Sequence, residues 1–399
     1  MDPYLLDWLN LLLRWAHLVT GIAWIGASFY FVALDNSLTP PKDAADGARG
    51  VGGEQWAVHG GGFYHHLKYP VSPPKLPDQL HWSMWESYST WLTGFALFTA
   101  MYLVNAGTFL VDKTVFDWSP AAAVATALGF LAAFWLAYDA LCRTLGARPN
   151  GDRLVAVFVA VLIVFAAWLA CRLFAGRAAF LLVGAMLATA MSANVLFWII
   201  PGQRTVVAAI RAGAPVDPVH GQRGKQRSVH NTYFTLPVLF TMMSHHFVFT
   251  YAGKNNWLVL VAMMVAGALI RASFALRHHA LAFGKPVPWR FAALGSVLLV
   301  AMVVVMRPAP APAEAAIAAP PTFAQLRAVV EVRCVSCHGA QLQSKNVRLD
   351  SPAEISRHAQ AVYQQTVLLR AMPMNNATQI TESERALIGR WFNAGAAVN

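Results

Sequence analysis

Near its C-terminus the chain reads Cys334-Val335-Ser336-Cys337-His338. Two thiols three positions apart, followed at once by an imidazole, suit one piece of chemistry. The thiols reach the two vinyl groups on one edge of a porphyrin, and the histidine meets the iron from one face. This C-x-x-C-H spacing is the attachment signature of a c-type haem. Half a zinc site and a thioredoxin-like dithiol are the other uses of such a pair. No second Cys/His pair follows at zinc spacing, and no βαβ pattern surrounds the motif. The iron needs a sixth ligand from downstream. Met372-Pro373-Met374 lies where a small cytochrome places its distal methionine, and methionine ligation raises the haem potential. Met372 is favoured because Pro follows it directly. Met374 and His358 are the alternatives.

A second set of polar residues lies in or beside apolar runs, where an ionisable group is costly and points to function. His17 shares a helical face with Gly21, Trp24 and Ser28. His81 and Glu86 open the second run, Asn194 lies in the fifth and Arg271 in the seventh. His230, Asn231, His245 and His246 flank the sixth. Histidines on neighbouring spans are natural ligands of a b-type haem. His17 is one candidate, with His81, His230, His245 or His246 as its partner. Each residue taken singly also fits a plain interhelical hydrogen bond.

Composition says what must hold these groups. The 399 residues are 57% hydrophobic and 12% charged, against about 25% charged in soluble domains. Eight apolar stretches can cross about 30 Å of hydrocarbon: roughly 5–34, 82–106, 119–142, 153–174, 178–201, 233–252, 256–277 and 288–306. With the N-terminus outside, 15 Lys and Arg fall in inner loops. Only Lys113, Arg172, Arg177, Lys254 and Arg307 fall in outer ones. The positive-inside rule therefore predicts both termini outside. It also accounts for the net charge of +11 without nucleic acid.

Residues 35–81 hold Gly and Pro pairs with Trp56, His59, Tyr64, His65 and His66, which predicts a segment folded back over the bundle. Residues 202–232 read as a long basic loop. Cys142 and Cys171 end apolar runs and read as packing residues. No cleavable signal peptide is expected, because the first apolar stretch is too long for one. Residues 307–321, RPAPAPAEAAIAAPP, form an extended spacer. It separates a membrane domain at 1–306 from a polar domain at 322–399, where Thr381 and Glu384 make a capping box. The expected fold is all-α: an eight-helix transmembrane bundle followed by a small soluble class I-like cytochrome c domain. Bacterial haem attachment takes place outside the membrane, in agreement with the charge count.

The stretches LRWAHLVTGIAWIGASFYFVALDNSL, GGFYHHLKY, LHWSMWESYSTWLTGF, NVLFWIIPGQ and QRSVHNTYFTLPVLFTMMSHHF are spread across the membrane domain. With CVSCH and MPMNNATQITESER in the tail, they resemble bacterial integral-membrane urate oxidases that end in a cytochrome c domain. The resemblance covers essentially the whole chain. It implies oxidation of urate to 5-hydroxyisourate in purine catabolism. Electrons would pass through the c-type haem to a soluble cytochrome c or terminal oxidase, without hydrogen peroxide. It implies the bacterial inner membrane, with both termini and the cytochrome domain in the periplasm. SHHF departs from the family pattern, which has Asn before the final His. His246 is thereby the family position and the favoured partner of His17 at a b-type haem, with His81 as a further cofactor-binding candidate.

Urate loses two electrons, whereas one haem accepts one. Urate is made in the cytoplasm, and the attached haem lies across about 30 Å of hydrocarbon. A b-type haem in the bundle bridges that gap; a urate site facing outward needs no bridge. For the substrate, Arg271 offers a cation, and Asn194, Gln203 or Asn231 offer hydrogen bonds to the ring edge. His65, His81, Glu86 and His230 are the candidate bases. An Arg271–Glu86 ion pair is the plain structural alternative. Two other classes fit the composition. One is a quinol-oxidising or purely electron-transferring subunit, which has no need of a histidine-rich loop. The other is a transporter with a redox tail, which predicts internal repeats that are not evident.

Overall fold

The computed structural model describes residues 3–307 and 320–398. The first apolar run forms α1 (Pro3–Ser37). At 1.5 Å per residue its 35 residues reach about 52 Å, longer than a bilayer core is thick. A short α2 (Ala44–Ala48) follows, then a hairpin of β1 (Gly53–His59) and β2 (Gly62–Lys68). The hairpin is antiparallel, with His59 opposite Gly62. Gly60 and Gly61 form its turn at φ 59° and 81°, the positive values a tight hairpin turn demands. The sheet corrects the all-α expectation. The hairpin meets the C-terminal end of α1: Tyr30 Oη lies 3.0 Å from His66 Nε2, and Lys68 Nζ donates to Asp35 at 2.6 Å.

The remaining helices of the larger domain are α3 (Trp85–Phe98), α4 (Ala106–Phe109), α5 (Pro120–Leu145) and α6 (Gly151–Leu173). They continue with α7 (Gly176–Asn194), α8 (Ile200–Arg211), α9 (Val219–Ser244), α10 (Val248–Tyr251), α11 (Asn256–Ala282) and α12 (Arg290–Val305). π-Helical turns extend α3 through Thr99–Leu103 and join α7 to α8 through Val195–Ile199. Such turns recur at functional sites. The expected basic loop at 202–232 is mostly helix, because α8 and α9 leave only 212–218 between them. Five helical stretches are long and apolar enough to cross a membrane, as a membrane protein requires: Tyr4–Ser37, Pro120–Leu145, Gly151–Leu173, Gly176–Arg211 and Asn256–Ala282. The other three expected spans are helical but less clear-cut. α3 has 14 residues before its π-turn, α12 has 16, and α9 opens on Arg223, Lys225 and Arg227. α7 runs through the core, with Phe180, Leu182, Met186 and Leu187 fully enclosed. α5, α6 and α9 pack around it, and α1 lies against α3 and α11.

The C-terminal part has a core of its own. It comprises α13 (Phe323–Arg333), α14 (Pro352–Arg357), α15 (Ala359–Tyr363) and α16 (Glu382–Asn393), closed around Leu326, Val330, Ile355, Ile388 and Trp391. The Thr381–Glu384 box is formed: the Glu384 backbone N–H donates to Thr381 Oγ1 at 3.2 Å. The Thr381 N–H returns a bond to Glu384 Oε2 at 2.6 Å. Thr322 and Gln325 make a second box, readable as T-x-x-Q and overlooked. Of the expected 307–321 spacer, 308–319 lie outside the described residues.

Candidate functional site

α13 delivers the C-x-x-C-H motif. The Cys334 N–H bonds Val330 O at 2.8 Å and closes the helix. The N–H groups of Cys337 and His338 then both turn back to Cys334 O, at 3.1 and 2.9 Å. Both thiols and the imidazole thus come from one turn. His338 Nδ1 lies 3.3 Å from Val347 O, a bond that leaves Nε2 free as a ligand. Both cysteines are free thiols. Burial pushes the Cys334 thiol up to about 11, opposite to the depressed thiol of a dithiol redox pair. Among the described residues no group of three or more His, Cys, Asp or Glu is placed to chelate a bare metal ion, so the zinc reading has no support.

Two of the three alternatives for the sixth ligand are engaged elsewhere. Met374 Sδ accepts from Arg177 Nη1 of the larger domain at 3.9 Å. His358 Nε2 lies 3.7 Å from Glu354 Oε2. Met372 is held by its backbone, whose carbonyl accepts from the buried Arg385 at 2.9 Å.

In the bundle, α1, α3, α7 and the end of α9 enclose a cavity walled by Trp24, Trp91, Phe95, Phe98, Leu181 and Met242. His17 and His245 both line it. His17 Nδ1 is 3.1 Å from Thr90 O and 3.2 Å from Thr93 Oγ1, which again leaves Nε2 free. His245 Nε2 is buried without a partner. Gly94 is required opposite His17, since a Cβ there would lie 2.8 Å from His17 Cε1. Arg14 and Arg177 line the same cavity, and among the described residues neither has a carboxylate partner. Two imidazoles with free nitrogens, aromatic walls and two uncompensated guanidinium groups fit a porphyrin carrying two carboxylates. The cavity brings His17 together with His245, and not with His81, His230 or His246. His246 lies tilted against His245, with 3.9 Å between ring centroids, but is absent from the wall. His81 is exposed in the loop before α3.

Asn194 and His230 belong elsewhere, in a buried network. Asn194 Nδ2 donates to Tyr138 Oη and to Asn231 Oδ1, both at 2.9 Å. Tyr138 Oη lies 2.8 Å from His230 Nδ1. Arg227 Nη1 donates to Asn194 Oδ1 at 3.3 Å, and its Nη2 to Asp139 Oδ1 at 2.7 Å. Trp198, in the second π-turn, also donates to Asp139 Oδ1 at 2.7 Å. Sequence reasoning missed Tyr138, Asp139 and Arg227. Asp139 was the available signal, a carboxylate inside an apolar run. Arg227 had been counted as a loop cation. Asp139→Asn strands Arg227 as a buried charge and is expected to cost about 3–5 kcal/mol. Denaturant or thermal unfolding in detergent checks this, and a loss below about 1 kcal/mol would mean that water already reaches the pair.

His65 is tied to Glu54, with Nε2 and Oε2 2.8 Å apart. The Lys42 backbone N–H and then His65 hold the Glu54 carboxyl below its ordinary range. Gln203 is exposed on α8. Glu86 and Arg271 do not pair: among the described residues no ion pair joins them. Arg271 instead lies over Phe29, with its central carbon 3.9 Å from the ring centroid.

Residues 3–307 match the family described as urate oxidase N-terminal, well over half of the chain. No curated protein and no solved structure gives a significant match.

Proposed function

Because the chain belongs to the urate oxidase N-terminal family, a family that points to a urate-related oxidoreductase, we propose that it is a membrane urate oxidase linked to cytochrome c. Urate and water give 5-hydroxyisourate, two protons and two electrons. The electrons leave through the C-terminal domain to a soluble cytochrome c or terminal oxidase, so dioxygen is not reduced to peroxide. The family match carries this reading.

The chain's residues divide the work. Cys334 and Cys337 would bind a c-type haem covalently, and His338 and Met372 would hold its iron. His17 and His245 would hold a b-type haem in the cavity, and Arg14 and Arg177 would offer charge to its carboxylates. The two haems supply one-electron acceptance. Arg177 lines the cavity and also touches Met374, so the two sites share a residue.

The eight helical stretches of 1–306 are read as eight spans with both termini outside. This puts the C-terminal domain in the periplasm of a bacterium, beside the inner membrane. The contacts between the parts support that orientation. Asn375 Nδ2 donates to Thr108 O at 2.6 Å and to Phe109 O at 2.9 Å. Lys345 Nζ lies 3.7 Å from Asp7 Oδ1. Thr108, Phe109, Arg177 and Asp7 all fall at span ends that the charge count assigns to the outside.

The test is an anaerobic difference spectrum of the detergent-purified chain after addition of urate. A c-type α-band joined by a b-type band is the expected result. If dithionite produces both bands and urate neither, urate is not the donor. A quinol tried in the same cuvette then becomes the leading alternative.

A further inference from the structure

Arg271 is 6% exposed. Its Nε and Nη2 are buried with no acceptor among the described residues. These two nitrogens form one edge of the guanidinium, and their N–H bonds run side by side. The edge is a fork made for two neighbouring acceptor atoms. Elsewhere in this chain such a fork is filled. Arg348 sets Nε 3.1 Å and Nη2 2.9 Å from the two carboxylate oxygens of Asp350. At Arg271 no side chain or carbonyl of the described residues takes that place. A buried cation without a counter-charge is costly and calls for an anion.

The surroundings narrow the class of anion. Phe29 covers one face of the guanidinium, so a partner approaches along the edge. Tyr233 on α9 and His278 on α11 lie within electrostatic reach, and neither is a carboxylate. The position also fits a donor of electrons to the cavity. Phe29 follows Trp24, which lines the cavity, by five residues on α1. That is a rise of about 7.5 Å along the helix.

We infer that the Arg271 fork binds the urate anion through an adjacent ring nitrogen and carbonyl oxygen, with Phe29 holding the fork in place. A urate anion presents that pair of acceptors on one flat edge and spreads its charge over the ring. The inference rests on the urate oxidase reading and adds the site to it. A phospholipid phosphate offers the same paired oxygens and is the competing source of the anion.

The test is the urate concentration that half-saturates anaerobic haem reduction. It is measured on the full detergent-purified chain for wild type, Arg271→Gln, Arg271→Lys and Phe29→Leu. Loss of a charge-assisted fork is expected to raise it about 10- to 100-fold in Arg271→Gln. The limiting rate and the dithionite spectrum move far less. Arg271→Lys keeps the charge without the fork and falls between, and Phe29→Leu gives a smaller rise. If Arg271→Gln fails to retain haem, the lysine variant decides. A wild-type half-saturation in the variants overturns the inference. So does loss of bound phospholipid, read by mass spectrometry, with an unaltered urate response. A wild type that urate does not reduce brings down the urate reading and the site together, whereas unaltered variants of a responsive wild type bring down the site alone.

Discussion

The Cys334→Ser, Cys337→Ser double variant is expected to lose its haem on denaturing electrophoresis and its urate-dependent reduction of added cytochrome c, down to the buffer blank. The reason is bond chemistry. Thioether links form between thiols and vinyl carbons, and a serine hydroxyl does not replace them. His338 and Met372 would then hold the group through the iron alone, with Val347 O fixing the imidazole but adding no grip on the porphyrin. The bundle should be untouched, because the two cysteines lie outside it and its core cluster contains neither. Urate should therefore still produce the b-type band under anaerobic conditions, now without the c-type band. That split spectrum is the informative outcome. It orders the two centres, with the bundle upstream of the tail. Wild-type turnover in the double variant would refute electron exit through the C-terminal domain.

The sequence made some of this legible, and the reasons differ from residue to residue. C-x-x-C-H was readable because its chemistry needs residues adjacent in the chain. The Thr381–Glu384 box was readable for the same reason, since N-cap and N3 are local. The apolar stretches were readable because about 20 successive apolar residues leave few alternatives. What escaped depends on contacts between distant segments. The hairpin at 53–68 sits in a stretch whose Gly and His content reads as loop, and only cross-strand pairing makes it a sheet. α8 does carry an amphipathic period, through Ile200, Val206, Val207 and Ile210, which its Arg204 and Arg211 hide from a count of charges, whereas Arg223, Lys225 and Arg227 leave the first half of α9 without one. Arg227 turned inward because Asp139 lies across the bundle to receive it. Charge counting has no means of seeing that partner.

The histidine pair at the end of α9 shows the same limit most sharply, and it yields the second large effect. Neighbouring residues on a helix point about 100° apart. Choosing between His245 and His246 therefore chooses which wall of the bundle the imidazole meets. The family pattern pointed to His246; the cavity wall contains His245. His245→Leu and His17→Leu are each expected to abolish the b-type band. The c-type haem stays covalently bound and reducible by dithionite, and its reduction by urate falls to the blank. Either leucine would remove one of the two imidazoles that would hold the iron, and one imidazole does not replace the pair. Arg14 and Arg177 would then both line the cavity with no anion there to offset them. His246→Leu, its neighbour in the same turn, should keep both bands and most of the urate response. The three variants are best compared in one membrane preparation, with haem extracted and quantified per chain. Loss of the b-type band in His246→Leu alone would return the ligand to the family position and empty the cavity of its assigned role. Loss in His245→Leu alone, with His17→Leu unaffected, would keep the cavity and require a different partner for His245.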